Sequence, residues 1–81
     1  MSNRDEITAI ILEAIRQVAP DADTELLDYD EDMRDELDLD SMDFLNITIA
    51  VNRATGIAIA DADASKVLTL NAMADYLLAR S

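Results

Sequence analysis

Apolar residues in this chain recur three and four positions apart and nowhere sustain an alternating pattern, which restricts the fold to helices. Breakers are scarce, with one Pro and one Gly in 81 residues. Ile7, Ile10, Ile11, Ala14, Ile15 and Val18 mark one face of a first helix, which Ser2 or Asn3 can cap, with Asp5 and Glu6 in its first turn. Pro20 ends it, because the residue before a proline is pushed out of helical geometry. Asp40 is a good N-cap for a second helix, with Asp43 three residues later, and Gly56 is a natural residue just beyond its end. Ile57 and Ile59 lead into a short third helix of one or two turns, and Thr69 caps a fourth that runs on Leu70, Met73, Ala74, Leu77 and Leu78. The expected fold is all-α, a small four-helix bundle of three main helices and one short third helix, with a long acidic loop between the first two.

That loop, from residue 20 to about 40, shows no sustained period. Leu26, Leu27, Met33, Leu37 and Leu39 read as isolated pins holding it to a core. A loop this long in a compact domain is uncommon and often functional. Eighteen acids against 6 bases give a formal charge of −12, and twelve of the acids lie between Asp21 and Asp43, where Arg34 is the sole base. Such a field repels nucleic acid and anionic lipid and steers basic protein surfaces toward the chain. Acidity alone often serves only solubility, but here it clusters beside a candidate site.

Residues 1–81 are expected to form one domain, near the size where a single core is only just sufficient. With no Cys, no disulfide can support it. No apolar run reaches the length of a membrane span, and Arg4 is followed at once by Asp5 and Glu6, which fits neither a signal nor a transit peptide. A soluble cytoplasmic monomer without stable membrane insertion is expected. A calcium loop starting at Asp28 would need Gly at its sixth position and Glu at its twelfth, where Met33 and Leu39 stand. Starting at Asp61 gives Lys66 and Ala72, so no metal site is expected.

The candidate site is Ser41, in Leu37-Asp38-Leu39-Asp40-Ser41-Met42-Asp43. A serine at a helix N-terminus has an exposed hydroxyl where unpaired N–H groups and the helix dipole favour a phosphate. The chain has no Cys and no His, so it brings neither thiol nor imidazole base, and chemistry at Ser41 must be supplied from outside. The helix that follows carries two apolar stripes. At 100° per residue Met42, Leu45 and Ile49 fall within about 60° of each other, with Phe44, Ile47 and Val51 on the opposite side. One stripe suffices for burial. Phe44, Ile47 and Val51 are assigned to the core, leaving Met42, Leu45 and Ile49 as a docking strip edged by Asp43 and Asn46.

With these residues in place the chain resembles the acyl carrier protein family, whose pattern is Asp-Ser-Leu or Asp-Ser-Met opening the second helix of a four-helix bundle after a long loop. Here the triplet is Asp40-Ser41-Met42. The resemblance covers nearly the whole chain, through Met33 and Leu37 in the loop, Gly56-Ile57 after the helix, and Ala74-Asp75-Tyr76-Leu77 in the last helix. It implies that Ser41 receives 4′-phosphopantetheine from coenzyme A through a separate Mg²⁺-dependent phosphopantetheinyl transferase, with Asp40 and Met42 flanking it. It also implies acyl cargo carried as a thioester on the arm's thiol and sheltered between helices by Phe44, Ile47 and Ile59. Partners would be acyl-transferring and chain-elongating enzymes with basic patches, meeting Asp38, Asp43, Leu45, Asn46, Ile49 and Arg53. Fast arrival and weak hold suit such successive encounters.

The chain departs from the family pattern in three places. Asp38-Leu39 stands where Gly-Ala is usual, Ala60 follows Ile59 where Pro often stands, and Asn46, Asn52 and Arg53 replace an acidic end to the second helix. The last of these departures points from general fatty-acid synthesis toward a dedicated polyketide, specialised lipid or other secondary route. A peptidyl or aminoacyl carrier is the nearer rival, although those tend to be less acidic, with Gly-rich or His-containing approaches to the serine. A purely docking acidic bundle is the other rival, and it makes Ser41 incidental. Catalysis by the chain itself is not expected, since only carboxylates could act.

Overall fold

The computed structural model describes residues 3–81, which hold five helical elements and no strand. Helix α1 spans Asn3–Val18, α2 Met33–Glu36, α3 Ser41–Thr55 and α4 Leu70–Arg80, with a 3-10 helix at Asp61–Lys66 between α3 and α4. The small all-α bundle read from the spacing is present, its second and fourth helices being α3 and α4. Asn3 is already helical rather than a cap, and Ser2 lies outside the described residues.

Helix α1 packs against both α3 and α4. Its buried face, Ile7, Ile11, Ala14 and Ile15, meets Phe44, Ile47 and Val51 of α3 and Leu70, Met73, Ala74 and Leu77 of α4. The apolar stripe of each helix is thus turned inward, and burial of these side chains supplies the main force holding the bundle. Gly56 closes α3 with φ 74°, a left-handed conformation that a Cβ would strain, and its N–H donates to the Asn52 carbonyl.

The acidic loop is less irregular than expected. It contains α2, a single turn started by Asp32, whose carboxylate accepts the Arg34 N–H at 2.9 Å. Four residues are too few to leave a periodic trace in sequence. Met33 is fully buried, and Leu27 and Leu39 are nearly so, but Leu26 is 80% exposed and pins nothing. Leu26 and Leu27 sit in a tight turn with N–H bonds back to Asp23 and Thr24, and two adjacent side chains there cannot both face the core.

The loop is fastened across the start of α4. Met33 N–H donates to the Leu68 carbonyl at 2.9 Å, Asn71 N–H to the Tyr29 carbonyl at 3.0 Å, and Asn71 Nδ2 to Asp30 Oδ1 at 2.7 Å. The 3-10 helix is fastened to the same helix further along. Asp63 accepts the Tyr76 hydroxyl at 2.8 Å and pairs with Lys66 at 3.2 Å and Arg80 at 3.8 Å, while Arg80 stacks on the Tyr76 ring. The Tyr76 hydroxyl, then Lys66 and Arg80, hold the Asp63 carboxyl below the usual carboxylate range. No helix among the described residues is long and apolar enough to cross a membrane.

Candidate functional site

Ser41 is the first residue of α3, and the structure makes that start sharp. Asp40 Oδ1 accepts the Asp43 N–H at 2.8 Å, and Asp43 Oδ2 accepts the Asp40 N–H at 3.4 Å, a reciprocal capping box. Phe44 N–H donates to the Asp40 carbonyl at 3.0 Å. Of the first four N–H groups of α3, those of Ser41 and Met42 are therefore left without an acceptor among the described residues, and they lie beside the exposed Ser41 hydroxyl. These donors and the helix dipole suit a phosphate ester at Ser41 Oγ.

The approach to Ser41 turns on Asp38, the one non-glycine described residue with positive φ, at 54°. The left-handed turn lets Leu37 pack from one side and Leu39 bury at 9% exposure from the other, with Leu39 N–H bonded to the Arg34 carbonyl at 2.9 Å. This is the position where the sequence carries Asp in place of Gly, and Gly adopts that conformation without a Cβ penalty. Asp38→Gly is expected to stabilise the fold by about 0.5–1 kcal/mol, raising the thermal midpoint by roughly 3–6 °C. A midpoint that stays level or falls would mean that the Asp38 carboxylate makes up for its backbone strain.

Beside Ser41 opens a cavity of about 410 Å³ between α3 and the 3-10 helix. Ser41 and Arg34 stand on its wall together with Phe44, Leu45, Thr48, Ile59, Ala64 and Leu68. Arg34 is held there by Asp32, through Nε at 3.2 Å and Nη2 at 3.0 Å, and that bond holds the Asp32 carboxyl below its ordinary range. Thr48 spends its hydroxyl on the Leu45 carbonyl at 2.7 Å, which leaves its methyl as the apolar part. Ile47 is not on this wall. It is fully buried in the core, because on a helix it lies about 60° from Phe44 in the direction away from the cavity, whereas Thr48 lies about 40° toward it. The sequence reading missed Arg34, Thr48, Ala64 and Leu68 on this wall, since only the chain's return past α3 brings 64 and 68 beside 44.

The second stripe of α3 is open to solvent, with Met42 at 62%, Leu45 at 43% and Ile49 at 42% exposed. It forms a ridge with a groove on each side. Leu45 borders the Ser41 cavity, while Asp43, Asn46, Ile49 and Arg53 line an open groove of about 670 Å³ against Gln17 and Val18 of α1. Asp38 and Asp40 are exposed at the Ser41 end. Of the twelve acids between Asp21 and Asp43, Asp32 alone is in an ion pair among the described residues. They converge on no set able to hold a metal ion.

Ser41 thus stands as an exposed hydroxyl at the start of α3, in a chain whose sequence holds no His and no Cys. The family described as a phosphopantetheine attachment site matches residues 7–77, and the chain belongs to that family. Its members carry covalently attached 4′-phosphopantetheine. No curated protein matches the chain.

Proposed function

We propose that the chain is an acyl carrier protein whose Ser41 Oγ bears the prosthetic arm. The exposed Ser41 hydroxyl, beside two unpaired N–H groups and at the wall of an apolar cavity, carries this reading. The bound arm supplies a thiol on which an acyl group travels as a thioester. Asp40 acts by fixing the start of α3, and its carboxylate, like that of Asp43, is engaged in the capping box. A phosphopantetheinyl transferase must then supply the base that takes the Ser41 proton. Phe44 and Ile59, with Leu45 and Leu68, form the apolar wall that would shelter a cargo from water.

The 81 residues act as one carrier unit, a monomer working in the cytoplasm and catalysing nothing alone. Its partners are acyl-transferring and chain-elongating enzymes, drawn to the acids around Ser41. The apolar wall favours acyl over aminoacyl cargo, and the loss of acids at the far end of α3 favours a specialised lipid or polyketide route over general fatty-acid synthesis. Intact-mass measurement of protein purified from its native host tests this. The expected result is the added arm, alone or with an acyl group. An aminoacyl or peptidyl mass would overturn the acyl reading.

A further inference from the structure

Every cation of the described residues except Arg53 has a carboxylate partner. Arg4 meets Asp75, Arg16 meets Glu13, Arg34 meets Asp32, and Lys66 and Arg80 share Asp63. Arg53 is exposed and its side chain makes no hydrogen bond or ion pair among the described residues, in a chain with three times as many acids as bases. It stands in the last turn of α3, about 18 Å along the helix from Ser41, on the ridge side that carries Met42 and Ile49. Asn46 lies between, in the same groove as Ile49 and Arg53. The α3 face is therefore bipolar. Carboxylates of Asp38, Asp40 and Asp43 mark the Ser41 end, uncharged and apolar residues the middle, and one free guanidinium the far end.

Resting on the carrier reading, we propose that this face docks a partner enzyme of matching polarity. That partner has a cationic rim around the channel that admits Ser41, an apolar shelf for Met42, Leu45 and Ile49, and a carboxylate about 18 Å away that pairs with Arg53. A uniformly basic surface would meet attraction at one end of α3 and repulsion at the other. Arg53 thus sorts partners by rejecting the wrong ones, since like charges across an interface cost more than an unpaired rim charge gains. Complementing the C-terminal dipole of α3 is a smaller task that Arg53 performs in either case.

The probe is a malonyl transferase of fatty-acid synthesis with a uniformly basic docking surface. Each carrier is first loaded with phosphopantetheine and checked by intact mass. Wild type should be a poor acceptor. Arg53→Glu should raise kcat/KM about tenfold at low salt, Arg53→Gln by less, and both gains should shrink as salt rises. Among transferase variants in which each basic surface residue is changed in turn to Glu, one should restore wild type while penalising Arg53→Glu. Equal kcat/KM for wild type and Arg53→Glu, or a gain indifferent to salt, would overturn the inference while leaving the carrier reading intact. Failure of wild type to load would overturn the carrier reading and this inference with it.

Discussion

Ser41→Ala is expected to abolish loading of the chain with phosphopantetheine while leaving the bundle folded. Incubation with coenzyme A, Mg²⁺ and a broad-specificity phosphopantetheinyl transferase should add one arm to wild type and none to the variant, read by intact mass. The Ser41 hydroxyl makes no hydrogen bond among the described residues, and alanine is favourable in a first helical turn, so stability should change by less than about 0.5 kcal/mol. Ser65 provides the control. It is also exposed and lies on the same cavity wall, but in the 3-10 helix rather than at the start of α3. Ser65→Ala should load like wild type. Full loading of Ser41→Ala, or loss of loading in Ser65→Ala alone, would move the attachment away from Ser41.

Ile47→Ala should be among the most damaging single changes to the fold. The side chain is fully buried where α3 faces the rest of the core, and such truncations cost about 2–5 kcal/mol through lost burial and the cavity left behind. A domain of this length has a total stability of roughly 4–12 kcal/mol, so the variant should unfold at markedly lower denaturant or not fold stably at all. Ile59→Ala is the contrast. Ile59 is half-buried on the cavity wall, so its truncation should cost about 1 kcal/mol or less and act instead on whatever the cavity holds. Denaturant titration of both variants checks the ranking. Equal costs would mean that Ile59 is as structural as Ile47, and would count against the proposed cargo shelter.

The contrast between Ile47 and Ile59 marks where sequence reasoning reached its limit. Helix positions, the Asp40 cap, the Gly56 stop and the two stripes of α3 follow from interactions within four residues, which spacing along a chain records directly. The position of Ser41 at a helix start is of the same local kind, and so was legible. The charge field needs only counting. Which side of α3 lines a cavity is not local, because that wall joins residues from 34 to 68 and depends on how the 3-10 helix returns past α3. Likewise the inward turn of Leu27 and outward turn of Leu26, the clasp of Asp63 on Tyr76 and the hold of Asn71 on Asp30 are choices among equivalent local patterns. The sequence by itself determined the helices, their ends and a serine exposed at one of them. Packing alone decided what surrounds that serine, because burial and partner choice are settled only when distant segments compete for the same space.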